Sequence, residues 1–332
     1  MPYFKPFKVI IVGFDGALAS ALTGALDLFS FTGVSWQRFS NQELEPRFTV
    51  EIASLYAKPF RCSNRLVIQA HCDLNDVTEC DLVLVPTIGD SLDKTIQANL
   101  ALIPHLKRLA KTQADIASNC SGAFLLAEAG LLNNKPATTH WGYAEKLKTE
   151  YPLIDVQDKQ LVTQSDNIFC AAGGSSFYDL GLLLIERYCG REIANQVAKT
   201  QVIDSRRSDQ RVYANTKLFK RHPDPVVAQT QDFIELHYKQ NLNVADLAQK
   251  VSVTTRTLNR RFQAAINLRP IEYIQAIRVE QAKRLLETGQ GNIKSLANLV
   301  GYEDTSSFTR LFKKTTLLTP KEYQDKFYRA SI

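Results

Sequence analysis

Between Phe7 and about Lys199 two kinds of hydrophobic pattern alternate along the chain. Val9–Val12 ahead of Gly13, Leu82–Val85 between Asp81 and Pro86, and Asp115–Ser118 are short apolar runs of strand length, and Phe48–Ala53 alternates apolar with polar. Between and after them come helical spacings. Leu100, Ile103, Leu106 and Leu109 recur over Asn99–Lys111 with basic residues opposite, and Ala123–Ala129 is a compact apolar helix stopped by Gly130. Strands that alternate with helices predict a parallel sheet covered on both faces, an α/β unit.

Past Lys199 the strand patterns stop. Residues 204–222 are polar and basic, with Arg206, Arg207, Arg211, Lys217, Lys220 and Arg221. Asp224 then reads as an N-cap and Pro225 as the first residue of a helix running to about Tyr238. The expected organisation is an α/β domain over 1–203, a linker over 204–222 and an all-α domain over 223–332.

That last domain contains an internal repeat. Thr254–Tyr273 matches Asp304–Tyr323 at an offset of 50, including Arg260 with Arg310, Phe262 with Phe312 and Pro270 with Pro320; upstream, Val244–Ala248 matches Ile293–Ala297 at 49. Each copy predicts a short helix, a tight turn and a second helix. In the first, Val244, Leu247, Ala248 and Val251 form a stripe, Thr254 caps, and Leu258, Phe262 and Ile266 face inward; in the second, Asp304 caps and Phe308, Leu311 and Phe312 face inward. Thr255, Arg256, Asn259, Arg260 and Gln263 are left outward in one copy, and Thr305, Ser306, Thr309, Arg310 and Lys313 in the other. Such helix-turn-helix units fit the major groove, where Arg reads guanine, Asn reads adenine and hydroxyls reach bases or phosphates. A lone basic-polar helix is commonly just a solvated face, but duplication of core, cap and outward pattern together favours double-stranded DNA as the partner. Pro270–Glu287 predicts a long connecting helix, and recognition helices about 34 Å apart would occupy successive grooves.

Charge agrees. The net charge of +6 lies wholly in residues 221–332, which hold 17 Lys+Arg against 11 Asp+Glu, while residues 1–220 balance at 23 and 23. With 45% hydrophobic and 22% charged residues the chain has a globular composition, and its apolar runs fall short of the roughly 18 residues of a membrane span. No signal-peptide pattern opens the chain, and Cys62, Cys72, Cys80, Cys120, Cys170 and Cys189 include no C-x-x-C pair. A reduced, cytoplasmic protein with no metal, no cofactor and no membrane contact is expected.

On Leu247-Ala248, Arg260-Arg261-Phe262, Pro270-x-x-Tyr273, Arg278, Gly301-Tyr302, Phe308-x-Arg310-x-Phe312-Lys313-Lys314 and Thr319-Pro320-x-x-Tyr323, the segment Val244–Tyr323 resembles the AraC/XylS family of transcription regulators. The resemblance implies a transcription regulator, activator or repressor, with RNA polymerase as a partner and a homodimer as the working form. Asn267 and Leu317 stand where that family has Gly after each recognition helix, so strain or a rebuilt turn is expected at Leu317.

In the α/β domain, Ile116–Phe124 reads as a strand, a tight turn and a helix with Cys120 at the turn. Such an elbow pushes its residue into the open at a helix N-terminus, although a lone cysteine is more often buried and structural. On Gly24-x-x-Asp27-x-Phe29, Asp81–Pro86, Cys120–Leu132, Ala137–Trp141 and Gly173-Gly174, the segment Lys8–Ile203 resembles the glutamine-amidotransferase-like, PfpI-type domain, and its order before an AraC module resembles the GlxA-like branch of regulators. That implies a flavodoxin-like sheet with a pocket at the strand ends. A cysteine nucleophile needs a base and an orienting acid. Ser121 stands where hydrolytic relatives often have His, Ala21 stands at the acid's place, Asp15 is a poorly placed substitute, and only His140 is a candidate base. No catalytic residue is therefore expected, and the chain is read as a sensor and not an enzyme. Its expected ligand-binding residues are Cys120, Ser121, Gly122, His140, Trp141 and Phe14. The effector is expected to be a small polar metabolite. The branch resembled implies an amino acid or a quaternary amine; an aromatic cage would support the latter, but spacing alone does not assemble one from Trp36, Trp141 or Tyr143. The alternative is a Cys-dependent amidase, protease or deglycase carrying a DNA-binding appendage.

Overall fold

The computed structural model describes residues 5–204, 209–214, 219–220, 222–290, 293 and 295–328. Arg206, Arg207, Lys217 and Arg221 of the basic stretch, and Lys294 in the repeat, lie outside the described residues. The chain divides into two compact units, Met1–Gln210 and Arg211–Ile332.

The first unit is built on seven strands: β1 (Phe7–Val12), β2 (Phe48–Ser54), β3 (Cys72–Asp73), β4 (Leu82–Val85), β5 (Asp115–Asn119), β6 (Val162–Ser165) and β7 (Ile168–Ala171). They lie in the order β6-β7-β5-β4-β1-β2-β3, and every pair is parallel except the edge hairpin β6–β7. The chain runs outward from β1 to β3, then returns to β4 on the other side of β1, so a crevice opens between β1 and β4 at the strand ends. Because side chains alternate, Ile10, Val12, Val83, Val85 and Ile116 pack under Leu106, Leu109 and the helix beginning at Ala123, while Val9, Ile11, Leu82 and Leu84 pack on the opposite face. Burial on both faces is why these strands read as uninterrupted apolar runs.

Helices flank that sheet: α1 (Ala19–Ser30), α2 (Ile103–Leu109), α3 (Ala123–Glu128), α4 (Phe177–Cys189) and α5 (Arg191–Thr200). At the opposite end of the sheet from the crevice, buried Asp115 accepts from Arg187 Nε (2.7 Å) and Nη2 (3.2 Å) and from the Tyr188 hydroxyl (2.7 Å). Each donor satisfies a carboxylate that would be costly to bury alone.

The described part of the second unit opens on a 3-10 turn (Arg211–Tyr213) and continues with seven α-helices: α6 (Pro225–His237), α7 (Val244–Lys250), α8 (Thr255–Ile266), α9 (Pro270–Glu287), α10 (Leu296–Leu299), α11 (Thr305–Thr316) and α12 (Pro320–Phe327). Asp224 caps α6 through the amides of Val226 (2.9 Å) and Val227 (3.1 Å), as its place before Pro225 predicts. Two apolar cores form, one around Leu258, Phe262 and Tyr273 and one around Phe308, Phe312 and Tyr323, with α9 contributing to both. The expected linker is not loose throughout: Val212 is buried in the second of these cores, and Gln210 is buried in the first unit.

Among the described residues no helix is long and apolar enough to cross a membrane, and no group of His, Cys, Asp or Glu could hold a metal ion. The six cysteines are free thiols.

Candidate functional site

Parallel strands bring the ends of β1, β4, β5 and β7 to one rim of the sheet. At the end of β5, Cys120 takes φ +55°, a single 3-10 turn Cys120–Gly122 follows, and α3 begins. A non-glycine residue held in the left-handed region is strained and needs its surroundings to fix it. They do so here. A Cβ at Gly122 would lie 2.6 Å from the carbonyl oxygens of Val85 and Pro86, so only glycine fits against β4. Ser121 Oγ donates to Ile88 O (2.9 Å) and accepts from Ile88 N (3.0 Å). Asn119 Nδ2 donates to Thr87 Oγ1 (2.7 Å) and to Gly174 O (3.1 Å), and Thr139 Oγ1 donates to Cys120 O (2.8 Å).

The expectation that the elbow pushes Cys120 into the open is corrected by its burial, 5% exposed. Burial pushes the thiol above its ordinary value, against the opposing pull of the Ser121 amide and hydroxyl, the Thr87 hydroxyl and the His140 amide. The thiol is therefore protonated at neutral pH, and the groups at it are backbone and hydroxyl donors. His140 offers its amide to the thiol, while its ring Nδ1 accepts from Gly142 N (3.0 Å). Burial also holds that imidazole below its ordinary value, so it is neutral. Ala21 is buried on α1, and Asp15 accepts from Arg61 N (2.7 Å).

His140, Trp141 and Tyr143 lie together and half-buried: the His140 ring is 4.9 Å from Trp141 and 6.2 Å from Tyr143 by centroid. Trp36 is elsewhere, under Lys199 Nζ at 5.6 Å. Phe14 is 3% exposed and belongs to the hydrophobic core with Val12, Ile88 and Leu92. Ser121 and Gly122 act in the packing of the turn, as their contacts show, whereas Cys120, His140 and Trp141 form one neighbourhood.

Sequence reasoning misses Gln210. It is 2% exposed; its Oε1 accepts from Trp141 N (2.9 Å), and its Nε2 donates to Thr139 O (2.9 Å) and Asp158 O (2.9 Å). The last residue of the first unit thus holds the backbone of the segment that lies against Cys120. A polar residue in a polar stretch gives no signal of this in one dimension, because every partner is at least fifty positions away.

In the second unit, Thr254 Oγ1 accepts from Thr257 N (3.1 Å) at the start of α8, and Asp304 accepts from Ser306 N (3.1 Å) and Ser307 N (2.9 Å) at the start of α11. Leu258 and Phe262 are buried, as are Phe308 and Phe312. Thr255, Arg256, Arg260 and Gln263 are exposed with Asn259 half-buried; Thr305, Ser306, Arg310 and Lys313 are exposed with Thr309 half-buried. The helix-turn-helix corners hold Ser252 at φ +54° and Gly301 at φ +87°. At Gly301 a Cβ would meet Lys239 O at 2.8 Å. The Tyr273 hydroxyl donates to Glu235 (2.8 Å), and in the second copy Tyr323 donates to Glu287. Arg278 donates from Nε to Tyr238 O and from Nη2 to Gln240 O, both at 2.8 Å, and lies over the Tyr302 ring.

Comparison with known proteins agrees with both halves. The DJ-1/PfpI family matches residues 32–187 and a helix-turn-helix domain matches residues 247–326. The HTH-type transcriptional regulator CdhR of Pseudomonas aeruginosa is 25% identical over 290 residues, 86% of this chain and 84% of that protein. The HTH-type transcriptional regulator GlxA of Rhizobium meliloti is 27% identical over 218 residues, 65% of this chain and 66% of that protein. Drosophila melanogaster DJ-1beta shares the fold of the first unit, with a TM-score of 0.50 and 19% identity over 60% of this chain and 100% of that one. A flavodoxin-like DJ-1/PfpI unit followed by a duplicated helix-turn-helix defines the AraC-type regulators that carry such a domain in front. Within that class the chain is similar to the regulators CdhR and GlxA.

Proposed function

We propose that this chain is a sequence-specific DNA-binding regulator of transcription controlled by a small polar metabolite, bound at the strand ends against Cys120, His140 and Trp141, and that it catalyses no reaction there. The state of the thiol carries the choice of sensing over catalysis. Nucleophilic cysteines work as thiolates with a base in reach, whereas this one is buried, protonated and attended by amides and hydroxyls. The Ser121 and His140 amides suit an anionic group, and the half-buried faces of His140, Trp141 and Tyr143 suit a cation. A zwitterion of the amino-acid or betaine class satisfies both. A ligand shifts an equilibrium only through contacts that differ between its states. Gln210 supports such a contact, since it holds Thr139 and Trp141 at the end of the first unit.

The test is a thermal-shift screen of the full chain against amino acids, betaines and carnitine, with mass spectrometry of each mixture. The expected result is a stabilising compound recovered unchanged, with a response that survives in Cys120→Ser; at a hundredfold excess over Kd the gain is about 2.7 kcal/mol. Consumption of the compound that disappears in Cys120→Ser would make the chain a Cys-dependent amidase or deglycase instead.

A further inference from the structure

The two helix-turn-helix copies share one burial pattern but not one outward face. From Thr255 to Phe262 and from Thr305 to Phe312 each position has the same exposure class as its counterpart. Sequence differences on the exposed side are therefore differences in what DNA would meet. Thr255 and Arg260 keep their identity as Thr305 and Arg310, but Arg256, Asn259, Gln263 and Ala264 become Ser306, Thr309, Lys313 and Lys314.

These exchanges replace one chemistry by another. Arg, Asn and Gln each make bidentate contacts that distinguish one base pair from the others in the major groove, whereas Ser and Thr have a single hydroxyl and accept many partners. Lys is a point charge suited to phosphate. Local bonds are alike at Asn259 and Thr309 and differ at the shared arginine. In α11 the Thr309 hydroxyl donates to Thr305 O (2.8 Å), and Arg310 Nη2 donates to Ser307 Oγ (3.2 Å), which draws the guanidinium back along its own helix. In α8 the hydroxyl at the position equivalent to Ser307, Thr257, pairs with Thr254 Oγ1 (2.9 Å). Asn259 Nδ2 bonds Thr255 O (2.8 Å), and Gln263 Nε2 bonds Asn267 Oδ1. Those amide bonds lie on a surface where a base edge can take their place.

We infer that the two reading heads divide the work: α8 reads sequence through Arg256, Asn259, Arg260 and Gln263, and α11 grips the phosphate backbone through Lys313 and Lys314 with little base discrimination. The inference rests on DNA binding by this unit and specifies how its specificity is distributed.

The test is selection from a pool of random-sequence DNA duplexes with the full chain. The expected product is one strongly specified block of bases, with a weakly specified block about 10 bp away. Arg256→Ala and Gln263→Ala degrade the strong block. Lys313→Ala and Lys314→Ala weaken binding to every sequence alike and each lower the salt slope by about 1, with the preference unchanged. Transplanting the first face onto the second, as Ser306→Arg, Thr309→Asn and Lys313→Gln together, creates a second strong block that repeats the first. All these positions are exposed or half-buried, and an unchanged melting temperature confirms that each variant is folded. Two equally strong blocks in the parent chain, or a changed base preference in Lys313→Ala, overturns the division of labour while leaving DNA binding in place. A pool that enriches no sequence overturns sequence-specific binding itself.

Discussion

At the scale of single residues, environment overrides type. Cys120 has the backbone of an exposed nucleophile and the surroundings of a core thiol. His140, the one candidate base, is held neutral by burial and gives its ring nitrogen to Gly142. The sign of the pH effect follows. The folded state favours the neutral imidazole, so its contribution to stability is full above the ordinary value of 6.5 and is lost as pH falls through the folded value. His105, held down by burial and by Arg108, acts in the same direction. Thermal melts should therefore show the first unit weakening as pH falls below about 6.5. His140→Asn should remove part of that slope and the double variant His105→Gln/His140→Asn most of it; an undiminished slope in the double variant would assign it elsewhere. Such inversions are hidden in the sequence, where a cysteine in an elbow and a histidine beside a tryptophan look exposed and reactive.

At the scale of elements, what was local was legible. Asp224-Pro225, Thr254 and Asp304 start their helices where capping chemistry predicts, and Pro270–Glu287 is a helix over its whole expected length. The antiparallel edge β6–β7 was not legible, because pairing partners are set by tertiary structure and not by short-range spacing. The turn at Leu317 settles one open expectation. It is not rebuilt: Leu317 sits at φ +64° and donates to Lys313 O (2.8 Å), just as Asn267 at φ +55° donates to Gln263 O (3.1 Å). The leucine thus occupies a left-handed cap that costs an L-residue roughly 1–2 kcal/mol. Leu317 is 42% exposed, so Leu317→Gly gives up little packing. It should raise stability by about 0.5–1 kcal/mol, read as a melting temperature a few degrees higher. A lowered midpoint would mean that the leucine's contacts outweigh the strain.

At the scale of the whole chain, periodicity distinguished a sheet-based half from a helical half, and duplication of pattern pointed to DNA. Composition suggested where one half gives way to the other, but hydrogen bonding draws the line more finely. A fragment cut at Ile203, the boundary expected from the sequence, would leave Trp141 N–H, Thr139 C=O and Asp158 C=O without the side chain of Gln210. Thr139 is buried and the other two residues half-buried; a buried group deprived of its partner costs about 1–3 kcal/mol. A fragment ending at Gln210 should accordingly melt well above one ending at Ile203, and equal midpoints would show that the glutamine is dispensable. For anyone dividing this protein to graft its first unit onto another output, the place to cut is then set by a side chain that closes that unit like a clasp, ten residues beyond the end of α5 at Thr200.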